Sequence, residues 1–259
     1  MQKITAIIPT FNESLHIEEA IRSVRWADEV IVVDSFSTDG TADLARPLAD
    51  VVLEHEYVNS ATQKNWTIPQ AKHEWIFLLD ADERVPEKLR DEVQSVLEKG
   101  TDISAFWIGR QNYFMGRKVN YSGWQNDAVI RLFRRDNCRY QDLHVHAEVE
   151  TDGKVGRLNH KLDHFTYTTL EQYLFKFHRY TSWSAYDYVG RSEKITGYHL
   201  FLKPFWRFFK HYIMKRGFLD GKVGFILSVM ASYTVFERYM KAWRIKEGEE
   251  LSQKPKSKK

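Results

Sequence analysis

The chain has one cysteine in 259 residues, Cys138, so it can form no intrachain disulfide and can build no metal site from thiolates alone. A reducing compartment is the simplest home for it. Residues 1 to 20 lack a basic start, an apolar run and a small-residue cleavage site in that order, so no secretory signal is expected and the cytoplasm follows. Long apolar runs are scarce as well. Between Lys222 and Glu237 lie 14 uncharged residues, short of the roughly 20 that a membrane-spanning helix needs. No internal repeat is present, which removes solenoid architectures.

What is present is a globular composition, 43% hydrophobic and 14% aromatic, enough for one large core or two modest ones. The net charge of +3 conceals an asymmetry. From Leu200 onward there are 14 Lys and Arg against 5 Asp and Glu, a balance of +9, which leaves −6 for the first 199 residues.

The first hundred residues alternate between short β-rich runs and helical periodicity. "ITAIIP", "EVIVVD", "DVVLEH" and "EWIFLLD" read as strands. Between and after them, Ile17, Ala20, Ile21 and Val24, then "STDGTADLA", "SATQKNWTIPQA" and the segment opening at Pro86 read as helices. Four such alternations predict a parallel sheet in an α/β sandwich. After Gly100 the pattern changes to strand-like pieces, "SAFWIGR", "AVIRLFRR" and "GRLNHKLDHFTY". Helical periodicity resumes near Thr169 and runs to about Arg244, with a break around Tyr188 to Gly197. "EGEELSQKPKSKK" has no apolar face and is expected to be a disordered basic tail.

In open α/β sheets, ligands sit beyond the carboxyl ends of the strands. Three clusters fall there: "PTFNE" after the first strand, "DSFSTDGT" after the second and "DADE" after the fourth. Asp34 follows an apolar strand, where a carboxylate needs hydrogen bonds from a turn or from a ligand such as a nucleotide base. Glu83 fits an ordinary helix start. Asp80 and Asp82, two carboxylates one residue apart at a strand end, can hold a hard cation such as Mg²⁺ or Mn²⁺ together with a substrate diphosphate.

Taken in order, "IIPTFNE", "VIVVDSFSTDGT", "ATQKNWTIPQAKHEWIFLLDADERV", "NYFMGRKVNYSGWQNDAVIRLFRR" and "FLDGKVGF" resemble the inverting family-2 glycosyltransferases, most of all the branch that includes lipopolysaccharide core β-1,4-glucosyltransferases. The likeness runs from about Ile4 to Tyr239. It implies a GT-A fold, a Rossmann-like and mostly parallel sheet, with a C-terminal helical extension that associates with a membrane. The expected divisions are 1–168 for the transferase domain (nucleotide-sugar half to about 100), 169–246 for the helical region and 247–259 for the tail.

By motif position, the resemblance implies that Pro9, Thr10, Glu13, Asp34, Lys64 and Asp80 contact the nucleotide sugar, and that Asp82 binds Mg²⁺ or Mn²⁺ as part of the DxD motif. Lys64 on a solvated helix face is the plain alternative. Asp127, just before an apolar strand, matches the position of the catalytic base, which takes the proton of the acceptor hydroxyl. Arg131, four residues on, is a candidate for the acceptor side and equally a partner that would tie Asp127 into a salt bridge. His146 and His164 are candidates to complete the metal shell. Relatives place His and Glu side by side where this chain reads His146, Ala147, Glu148, so no role is carried onto the Glu. Trp124 is a candidate for stacking on an acceptor sugar.

In "KPFWRFFKHYIMKRGF", Phe205, Phe208, Phe209, Tyr212 and Ile213 fall on one side of a helix and Lys203, Arg207, Lys210 and His211 on another, as in an interfacial helix. The expectation is an enzyme on the cytoplasmic face of the inner membrane, moving a hexose from a nucleotide-diphosphate sugar, UDP-glucose first among them, to a lipid-linked or core glycan. No nucleic-acid partner is expected. The competing readings are a polyprenyl-phosphate glycosyltransferase and an inactive glycan-binding scaffold. A sugar-nucleotide pyrophosphorylase is disfavoured, since no Gly-rich basic loop follows the first strand.

Overall fold

The computed structural model describes residues 2–57, 59–141, 148–190 and 194–252. The chain divides into two units, one of residues 1–111 and 126–164 and one of 112–125 and 165–259. This differs from the division at residue 168 expected from sequence. The segment Asn112–Gln125 belongs with the C-terminal helices, because its partners lie there rather than in the sheet.

In the first unit the elements are β1 (Ile4–Thr10), α1 (Ile17–Ser23), β2 (Glu29–Asp34), α2 (Thr41–Ala45), β3 (Val51–Glu54), α3 (Ser60–Thr67), β4 (Trp75–Leu78), β5 (Glu83–Arg84) and α4 (Glu87–Lys99). β6 (Ile103–Phe114) carries the chain into the second unit, where β7 (Arg117–Lys118) turns back on it. β8 (Ala128–Arg134), β9 (Cys138–Tyr140) and β10 (Val149–Thr151) return to the first unit, and β11 (Lys154–Tyr167) leaves it again.

The strand order is β3-β2-β1-β4-β8-β6-β11-β5. From β3 to β4 the neighbours are parallel, and β8 then runs antiparallel to both β4 and β6. The alternation of side chains along each strand explains why both sheet faces are apolar. Ile4, Ala6 and Ile8 of β1, Val30 and Val32 of β2, and Trp75 and Phe77 of β4 pack on one face with Ile17, Ala20 and Ile21 of α1 and Leu89, Val93 and Leu97 of α4. Ile7, Ile31, Ile76 and Leu78 face the other way, toward Ala61 of α3 and Ile68. With apolar cover on both sides, the sheet is rigid and its strand ends are fixed.

The second unit is built on α5 (Leu170–Val189), α6 (Lys203–Phe209) and α7 (Gly221–Lys246). Tyr173 and Phe177 of α5 pack with Phe114, Val119 and Leu227, while Ala185 and Tyr188 pack with Val235, Tyr239 and Ala242 of α7. Glu237, buried in the middle of α7, takes hydrogen bonds from His178 Nδ1 at 2.7 Å and pairs with Lys241 Nζ at 2.9 Å. Wider π-type turns, Tyr198–Leu202 and Lys210–Met214, flank α6.

The helix continues past the charged residues that bracket the 14-residue run, as the periodicity to about Arg244 implies. Gly217–Lys246, 30 residues, is long and apolar enough by length and composition to cross a membrane, with 22% of its most apolar window buried. The start of the expected disordered tail is also packed: Glu249 accepts from Arg244 Nε at 2.6 Å and the Leu251 N–H donates to Tyr186 Oη at 3.2 Å. Residues 253–259 lie outside the described residues.

Gly224, in the first turns of α7, has no room for a side chain, since a Cβ there would meet the Gly217 carbonyl oxygen at 1.8 Å. Gly224→Ala should therefore cost about 1–3 kcal/mol, as overpacking against backbone does. Gly190→Ala, whose Cβ would find its nearest neighbour at 3.7 Å, should change stability by less than about 0.5 kcal/mol. Thermal unfolding of the two variants side by side reads this difference.

Candidate active site

β2, β1 and β4 are adjacent and parallel, so their carboxyl ends lie along one edge and bring together the three clusters singled out in the sequence. Two left-handed residues, Asn12 and Phe36, bend the loops there. The loops are tied to each other: the Glu13 N–H donates to Thr41 Oγ1 at 2.9 Å, the Thr38 N–H to Asn12 Oδ1 at 2.9 Å and the Ser14 N–H to Asp39 Oδ2 at 3.0 Å. Pro9 pairs in register with Val33 and Thr10 with Asp34.

Asp34 is buried, and its hydrogen bonds come from its own turn. The Ser37 N–H donates to one oxygen at 2.7 Å and the Ser37 hydroxyl to the other at 2.6 Å. Its burial alone therefore does not call for a nucleotide base. The Thr10 hydroxyl, in contrast, is buried with no partner among the described residues.

Beyond β4, acids and bases alternate in a continuous chain. Lys64 Nζ lies 3.1 Å from Asp80 Oδ1, and Arg131 Nη2 donates both to Asp80 and, at 2.8 Å, to Glu83 Oε1. Arg110 Nη1 lies 3.6 Å from Glu83, and its other nitrogens grip Asp127 in a fork, Nε to Oδ2 at 3.0 Å and Nη2 to Oδ1 at 2.7 Å. The Asp80 N–H closes the turn onto Glu83 Oε2 at 3.1 Å. Burial pushes the Asp80 carboxyl upward in pKa, but Arg131 and Lys64 outweigh it and hold the group well below the usual carboxylate range.

These distances settle several expectations. Lys64 is buried rather than on a solvated helix face, and it also lies over the Tyr140 ring at 5.1 Å. Glu83 is not a simple helix-start acid: it is fully buried on β5 and bridges two arginines. Arg131 does not pair with Asp127 and is enclosed with Asp80 and Glu83; the partner of Asp127 is Arg110, which the sequence reading did not single out. A cavity of about 180 Å³ opens beside this chain, lined by Lys64, Asp80, Arg110, Arg131, Tyr140 and Glu148 among others. Arg131 Nε is buried without a partner among the described residues, so this region and Thr10 each retain a donor that a ligand oxygen would satisfy.

Asp82 lies apart from this chain of charges. Its Oδ2 is 3.6 Å from His164 Nε2, because His164 on β11 pairs in register with Glu83 on β5. Burial opposes a charge on His164, yet Asp82 and Glu83 outweigh it and raise its pKa above the ordinary histidine value. Among the described residues no three His, Cys, Asp or Glu side chains form a metal site by themselves. The Asp82–His164 pair supplies one oxygen and one nitrogen, which fits Mg²⁺ or Mn²⁺ bound through one or two protein groups plus a diphosphate. His146 lies outside the described residues. Trp124, within the second unit, packs edge-on to Phe114 at 6.4 Å between ring centres, so part of its surface is used in that core.

Removing Glu83 would take one of its two acids from the buried Arg131 and a neighbour at 3.6 Å from the partly buried Arg110. Glu83→Ala should cost about 3–5 kcal/mol in urea unfolding. Lys154→Ala, which breaks the exposed pair with Asp102, should leave the urea midpoint nearly unchanged.

Comparison with known proteins gives the following. A family model described as Glycosyl transferase family 2 matches residues 5–150. An uncharacterized glycosyltransferase of Rickettsia felis is 29% identical over 262 residues, 93% of this chain and 89% of that protein. The lipopolysaccharide core biosynthesis glycosyltransferase LpsC of Rhizobium meliloti is 25% identical over 250 residues, 91% of this chain and 93% of that protein. Among solved structures, glucosyl-3-phosphoglycerate synthase of Mycobacterium tuberculosis, with Mn²⁺, uridine diphosphate and glucosyl-3-phosphoglycerate, aligns at a TM-score of 0.37 and 21% identity, over 43% of this chain and 44% of that one.

Proposed function

Because the chain belongs to glycosyl transferase family 2 and its first unit has the GT-A fold, we propose that it is a metal-dependent, inverting enzyme that moves a hexose, first of all glucose from UDP-glucose, to a lipid-borne core glycan. The observation that carries this reading is the alternating chain from Lys64 to Asp127 at the strand ends, with Asp82 and His164 beside it. The relative named for lipopolysaccharide core biosynthesis, matched along nearly its whole length, supports the acceptor class. With such an acceptor the enzyme works at the cytoplasmic face of the inner membrane.

Each residue has a part in this reading. Pro9, Thr10, Glu13 and Asp34 hold the nucleoside, with the unpartnered Thr10 hydroxyl donating to it. Lys64 and Arg131 face the diphosphate, and Asp80 holds both cations in place. Asp82 and His164 would hold Mg²⁺ or Mn²⁺, which when bound neutralises the leaving diphosphate. Asp127, oriented by the Arg110 fork, takes the proton of the acceptor hydroxyl. The hydroxyl oxygen then bonds to the anomeric carbon from the face opposite the diphosphate, whose C–O bond breaks, so the configuration inverts and the nucleoside diphosphate leaves with the bonding electrons.

Release of nucleoside diphosphate from a panel of nucleotide sugars tests the activity directly. Release should stop with EDTA and return with Mn²⁺ or Mg²⁺. Asp82→Asn should abolish the metal-dependent part of donor binding, measured by calorimetry, and unchanged donor affinity would remove the metal assignment. Asp127→Asn should lower kcat at least about a hundredfold, within the range for losing a general base, while donor still binds. Lost donor binding with kcat preserved would place Asp127 in the nucleotide pocket instead.

A further inference from the structure

The second unit carries a group of cations without acids. Arg207, Lys210, His211 and Lys215 recur at spacings of three, four and eight along α6 and the π-type turn that extends it, and so share one side. Among the described residues no carboxylate pairs with Arg207, Lys210 or Lys215. The one acid between residues 203 and 222 is Asp220. It is occupied by the N–H groups of Asn120 and Tyr121 at 3.0 and 2.9 Å and by the Ser122 hydroxyl at 3.2 Å.

The geometry crowds these cations. His211 Nδ1 donates to the Ser122 carbonyl at 2.9 Å, which leaves Nε2 as a buried acceptor with no partner among the described residues. The Lys215 side chain lies over Gly123, where a Cβ would come within 2.9 Å of its Nζ. Burial, then Lys210 and Arg207, hold the Lys215 ammonium below its usual pKa. Burial, then Arg207 and Lys215, push His211 down to about 4. A set of like charges that disfavour one another is relieved by an anion.

On the same helix Phe205, Trp206, Phe209 and Ile213 expose large apolar side chains, Phe205 to 68%. The amphipathic division read from the sequence is thereby corrected. Phe208 and Tyr212 turn inward onto Phe225, at ring distances of 6.0 and 5.7 Å, and Lys203 is withdrawn to the Tyr239 hydroxyl at 2.8 Å. Unpaired cations beside exposed aromatic rings match a surface that offers phosphates over hydrocarbon.

We propose that this face docks on an anionic phospholipid bilayer, seating lipid phosphate among Arg207, Lys210 and Lys215 while Phe205, Trp206, Phe209 and Ile213 enter the interface. The inference deepens the reading of a membrane-borne acceptor, but its test needs no reaction.

The full chain is sedimented with vesicles of phosphatidylcholine, alone or mixed with phosphatidylglycerol, across a salt series. The wild type should bind the mixed vesicles, weakly bind the neutral ones and release as salt rises. The Arg207→Gln, Lys210→Gln, Lys215→Gln triple variant should partition about a hundredfold more weakly. Phe205→Ser with Trp206→Ser should remove the part that resists salt. Circular dichroism and thermal unfolding check that both variants keep the fold. Equal partitioning of wild type and triple variant would overturn the proposal. So would release by inorganic phosphate at matched ionic strength, which would mark a soluble-phosphate site, or attachment that neither salt nor either set of substitutions weakens, which would mark α7 as membrane-crossing. Nucleoside diphosphate release assayed without vesicles tests the catalytic reading separately.

Discussion

Arg131 is a guanidinium with almost no access to water, and a charge in that position is tolerable only because Asp80 and Glu83 hold it from two sides. Those two acids stand at the end of β4 and on β5, while Arg131 lies on β8. One ion cluster therefore sets where three strands end relative to one another. Arg110 on β6 extends the constraint to Asp127, the residue just before β8. A skeleton of paired protein charges thus runs beneath the candidate chemistry.

The arrangement separates two kinds of carboxylate within a few residues. Asp80 and Glu83 are consumed by protein cations, so they act on geometry. Asp82 pairs with His164, and a histidine can exchange its proton for a cation. The acidic cluster "DADE" is in this sense two devices within one turn, which closes through the Asp80 N–H on Glu83 Oε2 and the Glu83 N–H on the Asp80 carbonyl at 2.9 Å.

The second unit follows a different logic. Asp220 accepts from the Asn120 and Tyr121 N–H groups and the Ser122 hydroxyl, and Glu237 Oε1 pairs with His178 and Lys241, while Arg207, Lys210 and Lys215 have no carboxylate partner among the described residues. Three of the 14 cations after residue 200, Arg207, Lys210 and Lys215, fall in the same stretch that exposes Phe205, Trp206, Phe209 and Ile213.

Much of this was legible in the sequence, because it depends on local periodicity. Short, nearly continuous β-rich apolar runs identify β1, β2 and β4, the 3.6-residue recurrence identifies α4 and α5, and the strand-end rule places Thr10, Asp34, Asp80 and Asp82 on one edge. The ordered motifs also identify the family. What the sequence could not decide was which charge meets which. Asp127 has Arg131 four residues away, but along a strand four residues span about 13 Å, and the cross-strand neighbour Arg110 is the one within reach. Lys64 is left between the nucleotide sugar and a solvated helix face until Tyr140 of β9 and Asp80 beyond β4 enclose it. Asp34 reads as short of partners until its turn folds Ser37 back onto it. Local pattern determines the elements and their ends. Pairing depends on which strands become neighbours, and that is settled only when the sheet and its two apolar faces assemble.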